Sequence, residues 1–235
     1  MLRVVTLLVL SISILMLTSC EEFCIDGNKE IVKQGYNVGD FTGIKLDIKG
    51  SVKLLKGKPD IEISSDKNTI DFIDVCVEDG DILHLKQKRG SCFSPSDVKI
   101  NIYADGLKTM EINSDSDCES DSIHISPKIT LNGSGKIILK GSSVNQELIN
   151  NSSGIIDLTN MPTKNATIRL NGSGDIKAEI AKNATVVNRS SGDIYIYNIS
   201  GVLNVTIQGS GNVYYSGTPS KIIPAIQASG KIIKM

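Results

Sequence analysis

The chain has 235 residues, of which 22% are charged, and a formal net charge of −1. So even a balance supplies no electrostatic footprint for nucleic acid, and none is expected as a partner. The five cysteines include no Cys-x-x-Cys pair, and His84 and His124 stand apart, so neither a metal centre nor a cofactor is predicted.

In chain order, Arg3 precedes an apolar run over residues 4–17, which closes on Leu17-Thr18-Ser19-Cys20. A charged start, an apolar core of this size and small residues before a cut predict a secretory signal peptide over 1–19. The run is short for a spanning helix, which needs about 20 apolar residues. Leu17 to Cys20 resembles the lipobox of bacterial lipoproteins, which makes Cys20 the lipid attachment site and first mature residue. Each buried methylene contributes ~0.8 kcal/mol, so two or three acyl chains hold a protein durably on a bilayer. The membrane is therefore an expected partner, with residues 20–40 as lipidated N-terminus and tether. Removing Arg3 leaves 24 Lys and Arg against 26 Asp and Glu, still close to neutral.

Residues 41–113 contain short runs such as Ile44-Lys-Leu-Asp-Ile48, Ile82-Leu-His-Leu-Lys86 and Val98-Lys-Ile-Asn-Ile102, separated by turns at Lys58-Pro59-Asp60 and Asp79-Gly80-Asp81. They predict an antiparallel β-sheet that caps whatever follows, since an open sheet edge invites aggregation. An oxidising envelope permits disulfides among Cys24, Cys76, Cys92 and Cys118. The turn at Asp79-Gly80-Asp81 suggests a Cys76–Cys92 bridge, with free buried thiols as the alternative. The acidic stretch 114–122 reads as an exposed turn or irregular coil.

From residue 114 onward the chain repeats itself. Ser-Gly pairs fall at Ser134-Gly135, Ser153-Gly154, Ser173-Gly174, Ser191-Gly192, Ser210-Gly211 and Ser229-Gly230, 18 to 20 residues apart. Such a period is the signature of a solenoid. Two residues after each Gly stands a β-branched residue: Ile137, Ile156, Ile176, Ile194, Val213 or Ile232. Three before each Ser stand Leu131, Asn150, Leu170, Asn188, Ile207 and Ile226. The alternation is that of a strand with one buried face on either side of a tight corner. Asn150 and Asn188 would point inward and need hydrogen-bond partners, because an unpaired buried amide is costly. The fold expected is all-β: a single-stranded β-helix, right-handed, over 114–235, with the antiparallel cap over 41–113.

On the outer face, Asp175 and Asp193 follow successive corner glycines, about 4.8 Å apart when stacked. Two such carboxylates could hold calcium or act as an acid/base pair; the alternative is solvated charge. Tyr195 and Tyr214 share an outer column, with Tyr197 beside them, and make a candidate ligand-binding patch for a glycan or a protein. No Ser-His-Asp or Cys-His set assembles, so no catalytic residues are assigned.

Phe41-Thr-Gly-Ile-Lys, a Gly-Ser-Val strand at Gly50, a Val-Glu-Asp-Gly-Asp-Ile hairpin at Val77 and the repeated Gly-Ser-Gly-Asp-Ile blocks together resemble the head GIN domain. That family is described as an autotransporter adhesin and is common in Bacteroidetes lipoproteins. The resemblance spans roughly residues 35 to 235 and implies a β-helical fold and an envelope location, with no catalytic residues to carry over. Glu21-Glu22 resembles the acidic surface-export signals of such lipoproteins, placing the protein at the outer membrane, on its periplasmic or surface face. The resulting expectation is a non-catalytic binding module. A carbohydrate-active enzyme on a β-helix, or a structural protein assembling with itself through the solenoid edge, are the alternatives.

Overall fold

A computed structural model describes residues 24–124 and 128–235. The signal peptide, Cys20 and Glu21-Glu22 lie outside them.

The repeat folds as its spacing requires. Ile137, Ile156, Ile176, Ile194, Val213 and Ile232 stand in parallel register, each the Cα partner of the next. Before the corners, Leu131, Asn150, Leu170, Asn188, Ile207 and Ile226 do the same. The first five members of the post-corner column are completely buried. Stacking supplies what a single coil lacks, a neighbour for each strand edge and for each apolar column.

Two kinds of corner alternate through the middle coils. Asn150 accepts hydrogen bonds from the Ser152 amide (3.0 Å) and hydroxyl (2.9 Å) and donates to the Gly154 carbonyl (2.7 Å). Asn188 repeats the arrangement with Ser190 and Gly192. Both amides are thus satisfied at zero exposure. Where the inward residue is Leu170 or Ile207, the corner carries Gly172 or Gly209 instead. A Cβ at either glycine would lie 2.1 Å from the carbonyl oxygen of Ser152 or Ser190 in the coil beneath. The corner glycines therefore serve close stacking. Positive φ, the other reason for a glycine turn, is found at Gly80, Gly90, Gly141 and Gly217, outside the six corners that carry the repeat.

The parallel stack also runs on into the N-terminal half, further than the sequence suggests. Gly43–Leu46 lies between Thr109–Ile112 and Ile82–Gln87, parallel to both. Ser51–Leu55 lies likewise between Asp117–Ser120 and Lys99–Tyr103. Three more coils result, and their spatial order departs from chain order, because the coil that comes first in sequence is second in space. Antiparallel pairing is confined to the far end. There Ile73–Glu78 covers Ile82–Gln87 on one face, and Asp60–Asp66 with Ile31–Tyr36 covers Lys99–Tyr103 on the other. The cap is real but smaller than residues 41–113. The stretch 114–122 is likewise a coil of the stack: Cys118 and Ser120 point in, while Asp117 and Glu119 point out.

The Cys76–Cys92 bridge does not form; Cys92 bonds Cys24 instead, and Cys76 and Cys118 are free thiols. Cys76 sits on a hairpin strand directly opposite His84, whereas Phe93–Ser94 pairs with Ile25–Asp26 and brings Cys92 to Cys24. Asp66 completes this clasp. Its carboxylate accepts the amides of Lys29 and Ser96 and the Ser96 hydroxyl. Burial pushes its pKa up, and the Ser96 and Lys29 hydrogen bonds outweigh that and hold it below the usual carboxylate range.

Candidate functional site

Asp175 accepts the backbone amide of Asp193 at 2.9 Å, and Asp193 accepts that of Asn212 at 2.7 Å. Asn212 in turn accepts the amide of Lys231 at 3.0 Å. Asp115 and Asp117 do the same for Ser134 and Lys136. Apart from Asp115, which caps the corner serine itself, these side chains satisfy the first amide after the corner in the next coil. The two carboxylates are brought together as expected, but they serve as corner caps.

Tyr195 and Tyr214 are also brought together. Their rings stack with centroids 4.9 Å apart and planes inclined by 7°. Lys177 sets its ammonium 5.7 Å from the Tyr195 centroid, and Ile233 is the partner of Tyr214 on the opposite side. Neighbouring coils thus flank the ring faces, and the pair offers outward its edges and hydroxyls. Tyr197 is half-buried on the same strand, and Tyr215 is half-buried against the core. Burial, with Asp193 and Asp175 nearby, raises the Tyr195 phenol, which keeps it a hydrogen-bond donor near neutral pH.

The most concentrated charge lies elsewhere. His84, 7% exposed at its side chain, directs Nε2 to Asp47 at 2.5 Å and Nδ1 to Glu78. Lys86 also bonds Glu78, at 3.1 Å, and Asn113 bonds Asp47, at 2.6 Å. Hydrogen bonds from His84 and Lys86 hold Glu78 low; for Asp47, burial pushes upward but Asn113 and His84 prevail. With both ring nitrogens engaged by carboxylates, this histidine cross-links the terminal hairpin to the coil beneath and has no nitrogen free to act as a base.

The geometry agrees with the comparisons. The family model for the putative auto-transporter adhesin, head GIN domain, matches residues 40–219. The chain belongs to the head GIN domain family. Its fold is that of a putative adhesin from Bacteroides fragilis, 18% identical with a TM-score of 0.82, the match covering 90% of this chain and 100% of that one. A putative lipid binding protein from Parabacteroides distasonis is 25% identical at a TM-score of 0.71, covering 90% and 99%. A putative adhesin from Parabacteroides merdae is 17% identical at a TM-score of 0.66, covering 90% and 98%. No curated protein matches.

Within this head GIN domain, sequence reading missed the side-chain ladders. One runs almost the whole stack: Asn171 donates to Asn151, Asn151 to Asn132, Asn132 to Asn113 and Asn113 to Asp47, at 2.6–2.8 Å. Arg189 then donates in both directions, to Asn171 and to Gln208, and Gln208 donates to Gln227. An acceptor-only carboxylate ends one run and a donor-only guanidinium reverses its direction, as their hydrogen-bonding capacities demand. The signal was present in the sequence as amides one period apart. Cys118 is sequestered, and burial pushes its thiol up to about 12; the half-buried Cys76 thiol is raised as well.

Proposed function

We propose that this head GIN domain is a non-catalytic binding module of the outer membrane, anchored by a lipid on Cys20 and binding glycan or protein with one face of its solenoid. The observation that carries the reading is the half-exposed stack of Tyr195 and Tyr214, with Tyr197 and Lys177 beside it on one flat sheet. Aromatic rings that are rigid and carry a polar tip are favoured at binding surfaces. The carboxylates that would make the same face an enzyme already bind backbone amides.

The test is attachment to cells and to arrayed glycans by the chain carrying Tyr195→Ala with Tyr214→Ala. Binding should be lost with the melting temperature nearly unchanged; a variant that binds as the parent does removes the patch from consideration. Cys20→Ala should release the protein from the membrane fraction, and its retention there would overturn the anchor. Self-assembly is the second reading. The last coil leaves Ile223 and Ile226 at 40% and 49% exposure. Pro224, which has no N–H, and Lys221, Lys231 and Lys234 blunt that edge against a like partner.

A further inference from the structure

The first described residues are fastened beyond what their packing requires. The tether expected over residues 20–40 is already part of the fold from Cys24 onward. Apart from Gly27, Cys24 to Glu30 is exposed and adds nothing to the buried core. A terminal stretch of that kind frays unless it is tied down. This one is tied at nearly every residue. Cys24 bonds Cys92, and the amides of Ile25 and Gly27 donate to the Cys92 and Ser94 carbonyls, each at 2.9 Å. Asn28 donates its amide to the Asn68 side chain at 3.0 Å, and Asn68 donates to the Asp26 carbonyl at 2.8 Å. The Lys29 amide donates to Asp66, and a Cβ at Gly27 would lie 2.3 Å from that same carboxylate.

The strap lies at one end of the stack, because Asp66 and Ile31–Tyr36 belong to the antiparallel cap. From there an inward column runs from Leu83 through Ile44, Met110 and Ile129 to Pro224, eight strand spacings or about 38 Å. Tyr195 stands six spacings, about 29 Å, from Asn101, the first member of its own column. Only residues 21–23 separate Cys20 from Cys24, so the two cysteines can stand at most about 14 Å apart. Freed of the strap, the link would run to Ile31 and reach about 40 Å.

From the strapped Cys24–Glu30 segment at the cap, and resting on the lipid reading of Cys20, we infer that the cap end of the solenoid is a bilayer-contact surface. The strap holds that end on the membrane, so the stack stands upright and carries the tyrosine pair outward. The surface suits that partner. Ile25 and Ile31 are 43% and 51% exposed there. Lys29, Lys88 and Arg89 are exposed beside them and match anionic headgroups. Of the strap's two acids, Glu30 is already paired with Lys67.

The test places the lipidated full chain on supported bilayers of phosphatidylethanolamine and phosphatidylglycerol and reads the protein layer by neutron reflectivity. The layer should begin within about 14 Å of the headgroups and be at least about 38 Å deep. Ten Gly-Ser residues inserted between Phe23 and Cys24 should lift and blur the layer without changing the melting temperature. Hydrogen exchange at Ile25–Asp26 and Ile31–Tyr36 should be slower on the bilayer than in the Cys20→Ala chain in solution, with Lys221–Ile226 unchanged. A thin, side-on layer overturns the inference, as does a parent layer as blurred as that of the insertion variant. Slowed exchange at Lys221–Ile226 instead of the cap overturns it too. In each of those cases the anchored parent leaves the lipid reading standing. Should Cys20→Ala stay on the bilayer as firmly as the parent, the lipid reading fails and this inference falls with it.

Discussion

The Ser-Gly coils and the N-terminal coils are built from the same parallel ladders but are held together differently. From Leu131 onward each paired residue meets its partner 17 to 20 positions away, so each coil closes on a neighbour just made. In the N-terminal half, Gly43–Leu46 waits for partners about 40 and 65 residues later, and Ile31–Tyr36 returns antiparallel over Asp60–Asp66. Closing those longer loops costs more entropy before contacts reward it. The N-terminal end accordingly carries devices the repeats lack: a disulfide, the Asp66 clasp and the His84 cross-link. The lesson is that regularity replaces fastening. A coil with near neighbours is held by stacking, and one with distant neighbours is pinned.

The largest expected effect follows from that contrast. The Cys24–Cys92 bond spans 68 residues, and a closed loop of that size stabilises by about 4 kcal/mol on the chain-entropy account. Cys92→Ser, or reduction of the parent, should therefore lower the melting temperature strongly. Hydrogen exchange should rise first in Ile25–Asp26 and Phe93–Ser94, with the Ser-Gly coils protected longest. Uniform loss of protection, or no shift at all, would show that stacking alone holds both ends.

The complementary break lies inside the repeats. A Cβ at Gly174 would sit 1.8 Å from the Gly154 carbonyl oxygen. Gly174→Val should thus cost ~2 kcal/mol or more, whereas Lys177→Ala on the outer face should cost under ~0.5 kcal/mol. Equal losses by denaturant titration would contradict tight stacking at the corners.

The same contrast explains what the sequence makes legible. The column Ile137 to Val213 is visible because its members recur at one period and share one burial. The N-terminal coils are hidden because Ile44 touches Leu83 and Met110, at unrelated separations, and nothing local announces a parallel partner. Period-2 patterning at residues 43–46 and 82–87 fits parallel and antiparallel sheets alike, so the pattern alone does not separate the cap from the first coils. At the outer face, Tyr195 and Tyr214 could be placed together from the period alone. That Asp175 and Asp193 accept backbone amides depends on side-chain direction at a corner, which spacing does not encode.

The smallest effect sharpens the comparison, because the long amide ladder joins the two regions. Its acceptor end is Asp47, which takes Asn113 from the stack and His84 from the terminal coil. The Asp47 carboxyl is held below its ordinary range, burial opposing and the Asn113 and His84 hydrogen bonds outweighing it. A carboxylate depressed in the folded state contributes stability that is present above its unfolded pKa, about 3.9. That contribution is lost as pH falls through the folded value. Acidification from pH 5 towards pH 2 should therefore lower the parent's melting temperature more steeply than that of Asp47→Asn. The variant keeps an acceptor for Asn113 but has no charge to lose. Exchange should rise at Ile73–Glu78 and Ile82–Gln87, where Glu78 is held low by the same histidine and by Lys86, before it rises among the Ser-Gly coils. Parallel pH curves for parent and variant would mean that the carboxylate is not what joins the terminal coil to the ladder.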